Sequence, residues 1–126
     1  MAPQVIFSDR VPKPSPSYSQ AMKLGNLLCT SGQVSIDAKT NKIVGLTIEE
    51  QTKQTLENLK TVVETAGFSL SDVLKTTVFL KRASDFQGMV KIYQTYFKAD
   101  PPARTTIEGA MMHPDLLVEI EAIACK

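Results

Sequence analysis

The stretch that decides the fold runs from Pro101 to Lys126 and reads PPARTTIEGAMMHPDLLVEIEAIACK. Its two halves alternate polar and apolar residues and are rich in β-branched side chains, so they predict two strands separated by a break at 111–115. Each strand carries one notable charge, Arg104 on the first and Glu119 on the second. A guanidinium binds a carboxylate bidentately and a carboxylate activates water, so the pair suits hydrolysis of a small anionic substrate. In the alternative interpretation, both charges are solvated or paired with each other.

Two amphipathic helices are predicted before these strands. Thr47 and Glu50 have the spacing of a capping box, apolar or small residues then recur at helical spacing, and Gly67 stands where a left-handed residue ends a helix. Ser84 and Gln87 predict a second capping box and a second helix. The apolar stripe of that second helix consists of Phe86, Met89, Val90, Tyr93 and Phe97.

The remaining strands are predicted in the first half of the chain and between the helices. Segments 22–24 and 27–31 flank the turn residues Gly25 and Asn26 and predict a β-hairpin, and a glycine follows it where a bulge or a close backbone approach is needed. Residues 73–80 are nearly continuously apolar and β-branched, which predicts a central strand buried on both faces. A short edge strand is expected at residues 5–7.

These elements predict one α+β domain spanning residues 1–126. Strands flank the second helix, so a parallel crossover is expected, with both helices on one face of a single mixed sheet. The last strand has apolar residues on both of its sides. Because the second face of the sheet then needs a cover, self-association into an oligomer is expected.

Composition excludes several classes of function. The chain has 126 residues, a formal net charge of +1 and dispersed basic residues, so it lacks the electrostatic footprint of a nucleic-acid or membrane-surface protein. The N-terminal residues resemble neither a secretory signal nor a transit peptide, so a cytoplasmic protein is expected. Cys29 and Cys125 are expected to be reduced and packed, Cys125 the more exposed of the two. With His113 as the only histidine, no zinc site or His-based catalytic triad is predicted.

Two runs near the C-terminus, PARTT at 102–106 and VEIEAIA at 118–124, resemble the C-terminal signature of the Rid (reactive intermediate deaminase) family, also called the YjgF or L-PSP family. Further matching segments occur in family order and at family spacing over almost the whole chain: SPSYSQA at 15–21, SGQ at 31–33, QTKQ at 51–54 with NL at 58–59, AG at 66–67 and VLKTTVFL at 73–80.

The resemblance implies a chorismate-mutase-like α+β fold and a homotrimer with sites between neighbouring subunits. It also implies an enzyme that uses no cofactor or metal and that hydrolyses short 2-imino acids, or their enamine tautomers, to 2-keto acids and ammonia. The implied partners are therefore a small-molecule 2-imino or 2-keto acid and further copies of the chain, with no membrane.

The resemblance also implies roles for five residues. Arg104 holds the substrate carboxylate, and Glu119 positions a water near the imine carbon. Tyr18 points its hydroxyl into the site, although a tyrosine packed beside a neighbouring proline with its hydroxyl in water is the alternative. Gly32 faces the ligand with its backbone, and Thr106 is implied in contact through its backbone.

Four positions depart from the family pattern. Ser17 replaces a common Gly, Val90 a frequent Asn, Gly109 an apolar strand residue, and the His113-Pro114 turn the usual Pro-Lys. The second class of function is a non-catalytic ligand-binding or regulatory trimer, or a translation-inhibiting ribonuclease of the kind described for some members. The lack of a basic patch with interleaved aromatics argues against RNA.

Overall fold

The computed structural model describes residues 1–126. Two α-helices and seven strands make up the fold, in the order β1 Gln4–Ile6, β2 Ala21–Leu24, β3 Leu27–Thr30, β4 Gln33–Val34, α1 Ile48–Thr65, β5 Val73–Leu80, α2 Phe86–Tyr96, β6 Ala103–Glu108 and β7 Val118–Cys125. Short 3-10 turns at Leu70–Asp72 and Ala83–Asp85 precede β5 and α2. Neither α-helix is both long and apolar enough to cross a membrane.

All seven strands join one sheet in the order β1-β2-β3-β7-β5-β6, and β4 pairs with β7 beyond the end of β3. Every pairing is antiparallel except that of β5 with β6. The parallel pair is joined by α2, so the predicted crossover and the mixed sheet are confirmed. The predicted hairpin is also confirmed, with Gly25 at its turn in the left-handed region at φ +58°.

Strand β5 is central, as predicted, because it lies between β7 and β6. Its residues Thr76, Val78 and Leu80 are buried in a core that includes buried residues of α1, α2 and β7. Its other face remains only half-covered, at Thr77 and Phe79. The prediction of burial on both faces is therefore wrong for a single chain, because both helices cover the same side of the sheet.

The strand β7 shows the predicted alternation. Val118, Ile120, Ala122 and Ala124 are buried under the helices, and the residues between them are half-buried or exposed. We call the uncovered side of the sheet the open face. Strand register places on it Val5, Met22, Leu27, Cys29, Thr77, Phe79, Thr105, Ile107, Glu119, Glu121 and Ile123.

The ends of α1 follow the sequence closely. The backbone N–H of Glu50 donates to the Thr47 hydroxyl over 3.1 Å, and the Glu50 carboxylate accepts from the N–H of Thr47 over 3.1 Å, which confirms the capping box. The hydrogen bonds that the Glu50 carboxylate accepts, first from the N–H of Leu46 and then from the N–H and the hydroxyl of Thr47, lower the pKa of Glu50. After the helix, Gly67 has a φ of +87°, as expected of a left-handed terminating residue.

The start of α2 differs from the prediction. Ser84 lies within the 3-10 turn, and Asp85 is the N-terminal cap residue without a side-chain cap bond. The capping box of Ser84 and Gln87 was therefore wrong. A residue distant in sequence orders this turn instead, because the Glu108 carboxylate accepts from the N–H of Ala83 over 2.9 Å.

Both cysteines are free, as predicted, but their surroundings differ from the expectation. Cys29 is exposed and Cys125 is half-buried, the reverse of the expected order. Cys29 pairs with Ile123 and projects from the open face, which the chain itself does not cover. It is therefore not a packed core thiol.

Candidate active site

Arg104 projects from β6 on the helix side of the sheet, where it is in register with the buried Thr76 of β5. Its guanidinium carbon lies 5.0 Å from the ring centre of Tyr93 and 5.4 Å from that of Phe86, both on α2. The guanidinium forms no hydrogen bond or ion pair within the chain. All five of its N–H donors are therefore available to a ligand.

The ring of Tyr93 is itself fixed. Tyr93 is 3% exposed, and its hydroxyl shares a 2.7 Å hydrogen bond with the hydroxyl of Thr76. Burial raises the pKa of Tyr93, while the bond to Thr76 and the charge of Arg104 act in the opposite direction. Tyr93 is thus a neutral hydrogen-bonding residue whose ring lies against the Arg104 guanidinium.

One recess adjoins Arg104, and a second lies beside Phe86 and Thr106. The first, of about 460 Å³, is lined by Val90, Tyr93, Gln94, Phe97, Lys98, Pro101 and Arg104. The second, of about 220 Å³, is lined by Leu80, Ala83, Phe86, Thr106, Ile107 and Glu108. Thr106 follows Arg104 by two residues on the same side of β6, so the two residues form one unit that we call the arginine group.

Glu119 projects from β7 onto the open face, opposite Phe79 of β5 and Val34 of β4. Burial, and secondarily the negative charge of Glu121, raise the pKa of its carboxyl. No cation pairs with it in the chain. A carboxyl of this kind is suited to exchanging protons nearer to neutral pH than an ordinary surface glutamate.

Gly32 lies in the break between β3 and β4, directly over Glu119. A Cβ built on Gly32 would fall 2.1 Å from Oε2 of Glu119. The expected close approach at Gly32 is therefore confirmed, and its partner is the carboxylate itself. Only a residue without a side chain lets the backbone and this carboxylate lie so close together.

Tyr18 belongs to the loop that runs beside Gly32. The N–H of Ser31 donates to the carbonyl of Gln20 over 2.9 Å, and the Ser31 hydroxyl donates to the carbonyl of Ser19 over 2.6 Å. Tyr18 directly precedes this bonded segment, is 53% exposed, and its hydroxyl has no partner in the chain. We call Tyr18, Gly32 and Glu119 the glutamate group.

One chain does not bring the arginine group and the glutamate group together. Arg104 is in register with Thr76, and Glu119 is in register with Phe79, three residues along the intervening strand β5. Because successive side chains of a strand point to opposite faces, the two charges lie on opposite sides of the sheet. They are therefore neither paired with each other nor able to face one ligand within one chain.

The aromatic neighbours of Arg104 were not among the predicted site residues. Phe86 and Tyr93 belong to the apolar stripe of α2, which sequence reasoning assigned to the core. A signal was present, since aromatics seven residues apart lie on one helix face, and a crossover helix covers the strand that follows it. His113 lies in its predicted turn, where its Nδ1 accepts from the N–H of Asp115 over 3.1 Å.

The comparison with known proteins covers nearly all of this architecture. The family model described as endoribonuclease L-PSP matches residues 8–126. The chain belongs to the Rid family. Both groups of candidate residues lie inside the matched region, so they are part of the Rid domain.

Individual Rid relatives agree with this assignment. A RutC family protein of Pyrococcus horikoshii is 50% identical over 98% of each chain. A 2-iminobutanoate/2-iminopropanoate deaminase of Escherichia coli is 36% identical, also over 98% of each chain. The crystal structure of RidA from an Antarctic Psychrobacter has a TM-score of 0.91 and 35% identity, covering 98% of this chain and 99% of that one.

Proposed function

We propose that the chain is a hydrolytic deaminase of short 2-imino acids and their enamine tautomers, of the 2-aminoacrylate, 2-iminopropanoate and 2-iminobutanoate type. The products are the 2-keto acid and ammonia. The observation that carries the proposal is the free guanidinium of Arg104, with its N–H donors unused and a partly apolar recess of about 460 Å³ beside it. A planar donor fork of this kind selects a carboxylate, and the name of the Escherichia coli relative supplies the reaction.

The complete site requires more than one chain. In the proposed homotrimer, each site combines the arginine group of one subunit with the glutamate group of its neighbour. The positions of Arg104 and Glu119 on opposite faces of the sheet support this arrangement. The apolar residues of the open face support it too, since Met22, Leu27 and Ile123 are each about 40% exposed in the single chain.

The proposed reaction is an addition followed by an elimination. Arg104 binds the carboxylate and fixes the imine carbon, and Glu119 orients a water and accepts its proton as the oxygen bonds to that carbon. That proton passes to the nitrogen, which gives a carbinolamine. A second proton then moves from its hydroxyl to the nitrogen by way of the same carboxylate, the carbon–nitrogen bond breaks, and ammonia leaves as the carbonyl forms. The hydroxyl of Tyr18 and the backbones of Gly32 and Thr106 close the pocket around the reacting carbon.

This chemistry asks little of the protein. Imines of this kind already hydrolyse in water, so the enzyme has to supply orientation and electrostatic stabilisation, together about several kcal/mol. The raised pKa of Glu119 serves both halves of the reaction, since one group first accepts and then returns a proton.

RNA cleavage is the second candidate, because the matching family model carries an endoribonuclease description. The charges argue against it. The formal net charge is only +1, and the one histidine accepts a hydrogen bond within its own turn. Hydrolysis of an imine therefore fits these residues better than cleavage of a phosphodiester.

The test couples the purified protein to an amino-acid dehydratase and follows imine decay together with keto-acid release. We expect acceleration by the parent protein and its loss in Arg104→Ala. Arg82→Ala is the matched control, because Arg82 is a surface arginine whose only ion pair is with Asp85. Absence of acceleration, together with cleavage of a labelled single-stranded RNA, would favour the second candidate.

A further inference from the structure

The aromatic rings beneath Arg104 have no part in the reaction proposed above. We propose that Phe86 and Tyr93 are positioning residues that hold the Arg104 guanidinium in one orientation, so that its N–H edges point toward a carboxylate; this inference rests on the proposed function of Arg104. We call the two rings the aromatic cradle. They contact the arginine rather than the substrate.

The cradle is needed because nothing else in the chain holds this guanidinium. An arginine side chain has four rotatable bonds, and that of Arg104 has neither a hydrogen bond nor an ion pair to fix it. Two aromatic centres lie within 5.4 Å of its guanidinium carbon, inside the range of cation–π attraction. The attraction engages the ring faces and leaves the N–H donors free.

The cradle is itself anchored to the strand beside Arg104. The Tyr93 hydroxyl is bonded to Thr76, whose backbone is in register with Arg104 across the β5–β6 pair. A second ring contact, between Tyr93 and Phe97 with centres 4.8 Å apart, fixes the other side of the tyrosine. Tyr93 of α2 therefore contacts both Thr76 of β5 and Arg104 of β6, and these two strand residues are themselves in register.

The residue between the two rings also matters. Val90 is four residues after Phe86 and three before Tyr93, so it shares their helix face, and it lines the larger recess together with Arg104. The valine side chain has no donor or acceptor, so it cannot hydrogen-bond the guanidinium or the substrate. In this chain the rings are accordingly the means by which α2 orients the arginine.

Three variants test the cradle. Phe86→Leu and Tyr93→Leu each remove one ring, and Tyr93→Phe keeps the ring while removing the hydroxyl. The removal of one cation–π contact is expected to raise both KM and the dissociation constant of the product 2-oxobutanoate about three- to thirtyfold, with kcat less affected. Tyr93→Phe is expected to stay within about threefold of the parent protein.

A direct probe accompanies the kinetics. The Nε–H resonance of Arg104, assigned by its loss in Arg104→Lys, is expected to move toward its ring-free position in both leucine variants and to remain in Tyr93→Phe. If Tyr93→Leu does not fold, Phe86→Leu alone decides, because that ring is only partly buried.

Two results would overturn the cradle: leucine variants that bind 2-oxobutanoate like the parent, or a Tyr93→Phe loss as large as that of Tyr93→Leu. Failure of the proposed function looks different. In that case Arg104→Ala leaves the affinity for 2-oxobutanoate unchanged, while the leucine variants still shift the Arg104 resonance.

Discussion

Replacement of Gly32 by alanine is expected to remove most of the activity while the chain still folds. The new Cβ would fall 2.1 Å from Oε2, 2.7 Å from Cδ and 2.8 Å from Cγ of Glu119. Since Cβ contacts under 3.0 Å are essentially absent from real proteins, the carboxylate oxygen has to move by at least 3.0 minus 2.1, or 0.9 Å. Because Cγ is also too close, the whole side chain must turn and not only its tip.

A displacement of about 1 Å at a catalytic group costs about a hundredfold in rate. We therefore expect kcat/KM to fall by about two decades. The cost in stability is expected to be at the lower end of the roughly 1–3 kcal/mol typical of overpacking, because a flexible side chain yields first. Gly32 does not have a positive φ, so alanine adds no backbone strain.

The assay compares imine hydrolysis and thermal unfolding of Gly32→Ala with those of Gly109→Ala. A Cβ at Gly109 meets nothing within 4 Å, and its φ is not positive either, so this variant is expected to keep the activity of the parent. A folded Gly32→Ala protein within about threefold of the parent would refute the reasoning. It would mean that the carboxylate does not act from the position described.

Three further outcomes are expected. Arg104→Lys keeps the charge but not the planar fork, so kcat/KM should fall by at least about two decades with the fold intact. Turnover near that of the parent would contradict bidentate binding of the carboxylate by Arg104. Glu119→Gln should lower kcat by about one to three decades. Because the pKa of Glu119 is raised, the activity of the parent should fall as the pH drops through that raised pKa, and the pH profile of the variant should show no such fall. Tyr96→Phe removes the 2.5 Å hydrogen bond from the Tyr96 hydroxyl on α2 to the Glu57 carboxylate on α1. The free energy of unfolding, measured with denaturant, should fall by about 1 kcal/mol while turnover stays unchanged, and a loss of turnover in the folded variant would implicate Tyr96 in the site.

The sequence predicted elements whose causes are local. The capping box of Thr47 and Glu50 needs only residues three apart, and the alternation of β7 follows from one strand packing under the helices. The start of α2 was missed for the opposite reason. The turn before α2 is ordered by Glu108, which is 25 residues distant from Ala83. The residues around the start of the helix give no sign of a partner so far along the chain.

The candidate site residues could be proposed from the sequence, but their arrangement could not. The residues of both groups follow from the Rid pattern, and the tight contact between Gly32 and Glu119 fits the expected backbone approach. Which face each charge takes depends on register, because a shift of one residue along β5 would move Arg104 to the other side of the sheet. Register is set by packing across the whole sheet, so the separation of Arg104 from Glu119 could not be read from either strand alone.

The placement of Arg104 and Glu119 on opposite faces of one sheet has a genetic consequence under the proposed assembly. Two gene copies, one defective at Arg104 and the other at Glu119, would encode chains that are inactive alone but rescue each other when mixed. We call each site between two subunits a junction. With random assembly of equal amounts of the two chains, about one quarter of the junctions would combine an intact arginine group with an intact glutamate group. Each junction takes one group from each of two chains. A subunit that is defective in only one group therefore disables only the junction to which it contributes that group.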